Sequence, residues 1–359
     1  MKKTSMTDTV EKKLPLAAQH AAAGARLINV AGWSLPAHFG DPEAEYWAAR
    51  KSAALFDASF LTKVIATGKD HLEYLNRRLS QRVIEMKPGE LLHAAQLNAD
   101  GRMDAELEIL HRDDDSLMVA PPAISGEFLV QLADKYVFSE DAQFVDQTND
   151  FAAFALIGPQ GKAICEKMLQ SRNELPSREF FTITSRYVAG GELLFVRVSE
   201  ADKVYAALKE VVGAAGGREM GFLPFDTVRI EGGTPWWGID LTQRSIPLDA
   251  DLTSAVHFNK GCYPGQETIA KITNLGHPAR KMVGIVWDGG DPPAAGTVLQ
   301  VGGVEAGSLT SSTYSPALDR AIGLATVKWP YRAVGTVVAT PQGAAGKVAS
   351  LPFSASETG

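Results

Sequence analysis

Cysteine is almost absent from this sequence of 359 residues, which contains only Cys165 and Cys262. The two thiols lie far apart in the chain, so a disulfide framework and a cysteine-only cluster within one subunit are both excluded. A reducing compartment is the natural expectation for such a chain. Cys165 falls on the inward face of a helix predicted over residues 162–169, and we interpret it as a core residue.

Positive charge is also scarce. Lysine and arginine total 35 against 42 aspartates and glutamates, which gives a formal net charge of −7 and no basic footprint for duplex nucleic acid. The basic pair Arg77 and Arg78 has no interleaved aromatic residues of the kind that a single-strand groove uses. We therefore expect no nucleic-acid partner.

Long apolar runs are missing as well. No stretch approaches the roughly 18 apolar residues that a membrane-spanning helix needs. Residues 1–14 lack the apolar core of a signal peptide, so we expect a cytoplasmic protein without a membrane partner. The chain also has no Gly-rich phosphate loop and no zinc-spaced His and Cys cluster, and no metal site is predicted.

Apolar residues are plentiful, at 45% against 21% charged residues, and they are enough for more than one core. Strands and helices mix without strict βαβ alternation, which favours an α+β fold over a doubly wound parallel sheet. We predict an N-terminal tail over residues 1–25 and an α+β body with two lobes over residues 26–275. Short strand-like runs separated by Gly and Pro predict a small β-barrel over residues 281–355.

Periodicity and turn signals place the individual elements. Helices are predicted over residues 43–52, from residue 68 to about 79, and over 126–136, 162–169 and 201–212. Strands are predicted over residues 64–67, 91–98, 105–110, 117–121, 154–157, 181–184, around 187, and over 193–198. In the barrel the predicted strands are residues 283–287, 297–301, 304–309, 322–327 and 336–339, with a Gly302-Gly303 hairpin turn.

One turn-rich stretch holds the densest group of reactive side chains: Lys260-Gly261-Cys262-Tyr263-Pro264-Gly265-Gln266-Glu267. Its glycines allow positive φ, and its other residues supply a cation, a thiol, an amide and a carboxylate. A neighbouring cation such as Lys260 favours the reactive thiolate, whereas Glu267 opposes it. A second interpretation stays open, in which Cys262 is an inert residue of a tight loop and Lys260 and Glu267 form an ordinary ion pair.

This stretch resembles the K-G-C-Y-x-G-Q-E signature of the YgfZ-type folate-binding proteins, which belong to the glycine-cleavage T-protein (aminomethyltransferase) superfamily. Residues 97–103, 229–233 and 246–251 are similar to other T-protein segments, and residues 310–316 and 322–323 are similar to its barrel. The resemblance covers roughly residues 26–345. It implies a three-lobed T-protein-like body with a central folate cavity and a C-terminal β-barrel, with tetrahydrofolate or a derivative as cofactor.

The resemblance also implies folate-binding residues. Arg229 is the candidate for the carboxylates of the folate tail, and Glu192 or Glu231 is the candidate for the pterin, because arginine binds carboxylates and a carboxylate accepts from pterin N–H groups. Asn98 ends a strand at the cavity, and His93 stands where T-proteins often have a tyrosine. The alternatives are that Arg229 is an exposed strand residue, that Glu231 is a structural ion-pair partner and that His93 is structural.

Two departures from the T-protein pattern bear on activity. Aminomethyltransferases carry paired aspartates in the segment after the strand that ends at Asn98, and the first of them acts on the folate nitrogen. The corresponding positions here are Ala105 and Glu106. Asp104 is a possible substitute, but on a strand it points to the opposite face from Ala105. The Y-T-G-E-D-G motif is also replaced near Tyr187.

The function expected from these features is a tetrahydrofolate-binding protein that assists iron–sulfur cluster assembly or repair, with Cys262 as its functional thiol. It would not be a competent glycine-cleavage aminomethyltransferase, and its partners would be folate and iron–sulfur assembly or client proteins. The alternative is a folate-dependent aminomethyl or methyl transferase, or a demethylating enzyme, with Asp104 or Glu106 as the base. A scaffold with a partner-binding loop is the third interpretation.

Overall fold

The computed structural model of the protein describes residues 11–170 and 180–354. The predicted tail over residues 1–25 and the end of the predicted barrel at residue 355 therefore lie partly outside the described residues. The chain divides into two compact units. The first comprises Met1–Phe60, Asn149–Thr182 and Leu193–Phe225, and the second comprises Leu61–Thr148, Ile183–Glu192 and Asp226–Gly359.

The first unit contains two sheets. A three-stranded sheet has the order β1-β3-β2, with β1 (Lys12–Lys13), β2 (Arg26–Val30) and β3 (Trp33–His38). A five-stranded sheet has the order β11-β12-β10-β4-β13, with β4 (Ala54–Asp57), β10 (Phe151–Ile157), β11 (Phe181–Thr184), β12 (Glu192–Arg197) and β13 (Arg218–Met220). The tip of the β11–β12 hairpin, residues 183–192, is counted with the second unit.

Four helices accompany these sheets: α1 (Ala17–Ala22), α2 (Pro42–Lys51), α5 (Gly161–Gln170) and α6 (Ala201–Ala214). The helix α2 begins where its sequence provides a cap, because Asp41 accepts a hydrogen bond from the Ala44 N–H at 3.0 Å and Pro42 occupies the first turn. The α5 residue Cys165 is 2% exposed, in agreement with its interpretation as a core residue. Helix α7 (Phe222–Glu231) is shared by the two units.

The second unit is built on a five-stranded sheet in the order β6-β7-β8-β5-β9. Its strands are β5 (Thr62–Thr67), β6 (Leu91–Leu97), β7 (Met103–His111), β8 (Ser116–Ala120) and β9 (Gln143–Asp146). The helices are α3 (His71–Arg78), α4 (Gly126–Asp134) and α8 (Gln266–Leu275). Ser125 caps α4 by accepting from the Phe128 N–H at 3.2 Å.

The C-terminal part of this unit is a closed six-stranded barrel in the order β14-β17-β16-β15-β18-β19. Its strands are β14 (Arg280–Trp287), β15 (Val298–Val301), β16 (Val304–Ser315), β17 (Arg320–Lys328), β18 (Val337–Ala339) and β19 (Ala345–Ala349). The predicted hairpin is present, since Val301 pairs with Val304 across Gly302 and Gly303, both of which have positive φ. The predicted small barrel is therefore confirmed, and β19 is an addition to it.

The α+β fold class is also confirmed, although some local predictions are wrong. The strand predicted around residue 187 is a 3-10 turn over Arg186–Val188, and its C-cap Ala189 has a φ of 56°. Arg229 lies on helix α7 and not on an exposed strand. Within the described residues, no helix has both the length and the hydropathy to cross a membrane.

Candidate functional site

The hairpin between β6 and β7 is held by Asn98. The Asn98 Oδ1 atom accepts from the Asp100 N–H at 3.0 Å and from the Arg102 N–H at 3.2 Å, while Gly101 supplies the positive φ that the turn needs. The sequence predicted a folate-binding role for Asn98. Its carbonyl oxygen instead shapes the turn, and its side chain also hydrogen-bonds Asp104.

Strand β7 separates its side chains into an apolar face and an acidic face. Met103, Ala105, Leu107 and Ile109 are fully buried in one hydrophobic cluster. Glu106 and Glu108 lie on the opposite face, because side chains alternate along a strand. Asp104 lies where the register of β6 with β7 shifts, so alternation does not assign it to that face. Ala105 therefore faces the core, whereas Glu106 and Glu108 face the other way.

Asp104 opens onto a cavity of 730 Å³, referred to below as the aromatic cavity, which is also lined by Phe128, Trp237 and Arg244. The carboxyl group is half-buried, and this burial raises its pKa above the usual value, although the hydrogen bond from Asn98 acts in the opposite direction. A flat apolar wall, a carboxylate and a guanidinium thus line one space. Such a lining suits a ligand with an aromatic ring system, N–H donors and an acidic group.

Glu106 is the centre of a buried ionic cluster. Its Oε1 atom accepts from His93 Nε2 at 2.9 Å and from the guanidinium of Arg186, and His93 Nδ1 lies 2.8 Å from Ser254 Oγ. The Glu106 side chain is fully buried, and its Oε2 atom has no hydrogen-bond partner among the described residues. Burial, together with the Arg186 charge, lowers the pKa of His93 well below its usual value. His93 is therefore a neutral imidazole that fixes Glu106.

Glu108 is held by the tip of the β11–β12 hairpin. It accepts from Ser185 Oγ at 2.5 Å and from the Arg186 N–H at 2.8 Å. Burial raises the pKa of this carboxyl to about 7, although both hydrogen bonds favour its charged form. Near neutral pH Glu108 is thus a carboxyl group that can both hold and release a proton.

Arg186 and Ser254 line a second cavity of 610 Å³, which also includes Lys281 and Arg332. The cationic residue in front of Glu106 was not found by sequence reasoning. The sequence signal for Arg186 is its position directly before Tyr187, in the segment that replaces the Y-T-G-E-D-G motif of the T-proteins. Glu192, which was predicted to bind the pterin, accepts from Thr184 Oγ1 at 2.9 Å and lines neither this cavity nor the aromatic cavity.

The prediction that Arg229 binds folate carboxylates is not supported by its surroundings. The side chain is 1% exposed, and its guanidinium donates to Asp226 at 2.7 Å, Asp240 at 2.6 Å and Ser311 Oγ at 2.8 Å. Glu231 is likewise buried and accepts from Ser315 Oγ. Both residues therefore hold α7 against the barrel, because buried charges are stable only when they are paired.

The loop over residues 260–267 is anchored by Lys260. Its ammonium donates to the carbonyl oxygens of Leu79 and Gln81, each at 2.7 Å, and to that of Asn76, at the C-terminal end of α3. Burial lowers the pKa of Lys260 to about 8. Backbone carbonyls engage the ammonium, and the described residues show no ion pair between Lys260 and Glu267, so the ordinary ion pair of the second interpretation is wrong.

The same loop packs on the Asn98 turn through Gly265. This glycine has a φ of 79°, and a Cβ atom there would lie 2.5 Å from the Asn98 carbonyl oxygen. Tyr263 is 8% exposed, and its N–H donates to Gln266 Oε1 at 3.3 Å. The structure thus brings together two segments that the sequence singled out separately. Gly261, Cys262 and Glu267 are the loop residues that remain exposed.

Comparison with known proteins identifies the family. The family model for the GCVT N-terminal domain matches residues 16–260, and the model for the glycine cleavage T-protein C-terminal barrel domain matches residues 280–354. The chain therefore belongs to the glycine cleavage T-protein family. This result and the structural match below also confirm the predicted T-protein fold.

Individual relatives agree over nearly the whole length. The aminomethyltransferase of Halothermothrix orenii is 29% identical over 366 residues, which cover 95% of this chain and 99% of that relative. The aminomethyltransferase of Streptomyces avermitilis is 28% identical, with coverage of 92% and 93%. The crystal structure of glycine cleavage system aminomethyltransferase T from Bartonella henselae has a TM-score of 0.86 at 26% identity and covers 96% of this chain and 98% of that chain.

Proposed function

We propose that this protein is a folate-dependent transferase of a one-carbon unit of the aminomethyl or methyl type. The observation that carries the proposal is the Asp104 carboxyl group, which lines the aromatic cavity beside the buried carboxyl groups of Glu106 and Glu108 on the same strand. The expectation of an inactive protein rested on the missing carboxylate at position 105. That side chain lies in the core, while Asp104 reaches the cavity from the neighbouring position. The full-length similarity to aminomethyltransferases supports the same proposal.

The residues around the aromatic cavity fit a tetrahydrofolate. Phe128 and Trp237 offer flat surfaces for a pterin, Asp104 can accept from its N–H groups, and Arg244 can bind a tail carboxylate. Arg244, and not Arg229 as the sequence suggested, is thus the proposed ligand of the folate tail carboxylates. When bound, tetrahydrofolate supplies the nitrogen that carries the one-carbon unit.

The protein's own contribution is proton transfer and fixed electrostatics. The raised pKa of Asp104 brings this carboxyl closer to neutral pH, where a general acid or base works best. Glu106 pairs with the Arg186 guanidinium, and His93 holds its orientation. Strand β7 therefore supplies one half-buried carboxyl group at the cavity and a second one whose position is fixed by its partners.

Folate binding is tested by calorimetric titration with tetrahydrofolate. The wild-type protein should bind saturably, and Arg244→Gln should weaken binding by about tenfold or more because a charge-assisted pair is lost. Arg320→Gln, an exposed change on β17, should bind like the wild type. Absence of binding to the wild type would remove the folate part of the proposal.

The iron–sulfur role remains a second candidate function, and a specific observation favours it. Lys260, Tyr263, Gly265 and Gln266 all have structural contacts in the motif loop, whereas Cys262 is an exposed free thiol. Structural contacts of the loop therefore explain most residues of the YgfZ-type signature, but they do not explain the Cys262 thiol. A working role in support of iron–sulfur enzymes would account for it.

The two cysteines separate this candidate from a purely structural loop. Cys262→Ser should stay within about 0.5 kcal/mol of wild-type stability and fail to restore iron–sulfur enzyme activity in a complementation assay. Cys165→Ser should lose about 1–3 kcal/mol, because it places a hydroxyl in the core. Iodoacetamide should label Cys262 in the native protein and Cys165 only after unfolding. Full complementation by Cys262→Ser would eliminate the iron–sulfur role.

A further inference from the structure

A third cavity, of 770 Å³, gathers unpaired positive charge. Arg102 from the β6–β7 turn, Arg244 from the segment before the 3-10 turn Pro247–Ala250, and Arg280 from the start of β14 all line it. None of the three forms an ion pair within residues 11–170 and 180–354. Other arginines of this acidic chain, such as Arg77, Arg112 and Arg186, do pair with carboxylates. Three guanidinium groups in one cavity, without an ion-pair partner among the described residues, would be stabilised by a bound anion.

The backbone that carries these arginines is fixed. The Met103 N–H donates to the Ser245 carbonyl oxygen at 2.9 Å, which joins the turn of Arg102 to the turn of Arg244. Arg280 is in register with Lys328 in the barrel sheet. The long side chains can adjust, but their attachment points converge without any rearrangement of the chain.

The carboxylates in this cavity do not neutralise the arginines. Asp240 is buried and is occupied by Arg229, Thr310 and Ser311. Asp249 accepts from the Ile246 N–H at 3.2 Å, and burial raises its pKa to about 6 in spite of the nearby Arg280 and Arg102 charges. Asp240 thus serves another network, and Asp249 offers at most one negative charge to three guanidinium groups. The cavity keeps an excess of positive charge.

We propose that this cavity binds a small organic anion that carries two or more carboxylate or phosphate groups. The three guanidinium groups supply the planar donor pairs that such groups accept. Apolar side chains of Leu241, Ile272 and Met282 line the same space and provide contact for a carbon skeleton. The volume lies within the range typical of metabolite sites. The site shares Arg244 with the aromatic cavity, but it does not rest on the proposed folate transfer, because Arg102 and Arg280 line this cavity alone.

The proposal is tested by titration of the whole protein with citrate and with pyrophosphate at constant ionic strength, by calorimetry and by the shift of Tm. At least one anion should bind saturably and raise Tm, since a ligand of the native state stabilises it. The double variant Arg102→Gln/Arg280→Gln should bind about a hundredfold more weakly, and each single variant about tenfold more weakly. Arg320→Gln controls for the general loss of positive charge.

The outcomes separate the sources of the ligand. Preference for citrate indicates a polycarboxylate, and preference for pyrophosphate indicates a phosphate ester. Equal affinity of the double variant and the wild type would overturn the proposal, as would a response to neither anion. The arginines are exposed, so their replacement should leave the fold intact. Should the double variant unfold, the single variants decide the question.

Discussion

Glu108 is a residue whose protonation should be visible in the stability of the protein. Burial raises its pKa from 4.5 to about 7, so the native state retains a proton that the unfolded chain releases. The contribution of this group to stability is therefore full below about pH 4.5 and is lost as the pH rises through 7. A glutamine at this position has no such titration.

We predict that Glu108→Gln becomes more stable relative to the wild type as the pH is raised from 4.5 to 8. The relative change should approach roughly 3 kcal/mol, the size of the pKa shift in free-energy terms. Urea denaturation at several pH values measures it. Glu210→Gln, an exposed change on α6, should show no such trend. A constant difference between Glu108→Gln and the wild type would contradict the assignment.

Lys260 illustrates a different use of a charged residue. Its ammonium satisfies three carbonyl oxygens around the end of α3, at Asn76, Leu79 and Gln81. Lys260→Met keeps the aliphatic stem but removes these donors, so we expect a loss of about 2 kcal/mol of unfolding free energy. The exposed Lys271→Met on α8 is the control and should change stability by less than about 0.5 kcal/mol. Equal losses in chemical denaturation would show that the carbonyl contacts are not stabilising.

Single residues also show where sequence reasoning reached its limit. The spacing rules predicted that Asp104 and Ala105 face opposite sides of a strand, but the register of β6 with β7 shifts at Asp104, so simple alternation does not apply there. Such a shift cannot be read from the local spacing of residues. Arg229 was a different case, because its partners Asp240 and Ser311 are brought to it by tertiary structure. Nothing in the local sequence pattern reports such contacts.

At the scale of elements, the motif loop and the β6–β7 turn form one unit of structure. Gly265 is in the left-handed region and lies against the Asn98 carbonyl oxygen, while Gly101 lies against Thr268 of α8. A side chain at either glycine would force the two segments apart. The geometry of the turn therefore depends on the loop, and that of the loop depends on the turn.

Gly265→Ala should destabilise the protein by more than about 1 kcal/mol, because it combines a positive φ with a steric clash. Gly261→Ala is a matched control in the same loop, since a Cβ atom there would meet nothing within 4 Å. It should remain within about 0.5 kcal/mol of the wild type. Thermal denaturation compares the two variants. A similar Tm for both would mean that the contact with the Asn98 turn is dispensable.

The elements that could be predicted are those with long periodic patterns or clear turn signals. Helices α2, α4, α5 and α6 and most barrel strands were found in this way. Strands of three or four residues, such as β4, β9 and β13, are too short to show a period. Helix α8 was not predicted, because its start lies inside the turn-rich motif loop.

At the scale of the whole molecule, the sequence resemblance predicted the family and the barrel, and both are confirmed. The expectation of an inactive protein depended on one position, Ala105, whereas the fold places carboxyl groups at the neighbouring positions Asp104 and Glu106 of β7. Function in such a family depends on which side chains reach a cavity. Which side chains reach a cavity follows from the packing of the sheet, and a comparison of sequences does not represent that packing.

Turnover is the most direct test of the central claim, that the carboxyl groups of β7 support one-carbon transfer to folate. The wild-type protein should form a one-carbon tetrahydrofolate product from an aminomethylated lipoyl carrier or from a methylated amine. Asp104→Asn should lose about a hundredfold to ten-thousandfold in rate, the usual contribution of a general acid or base. Asp100→Asn in the adjacent turn should retain the activity. Failure of the wild type to turn over any such donor, or equal rates for Asp104→Asn and the wild type, would contradict the account.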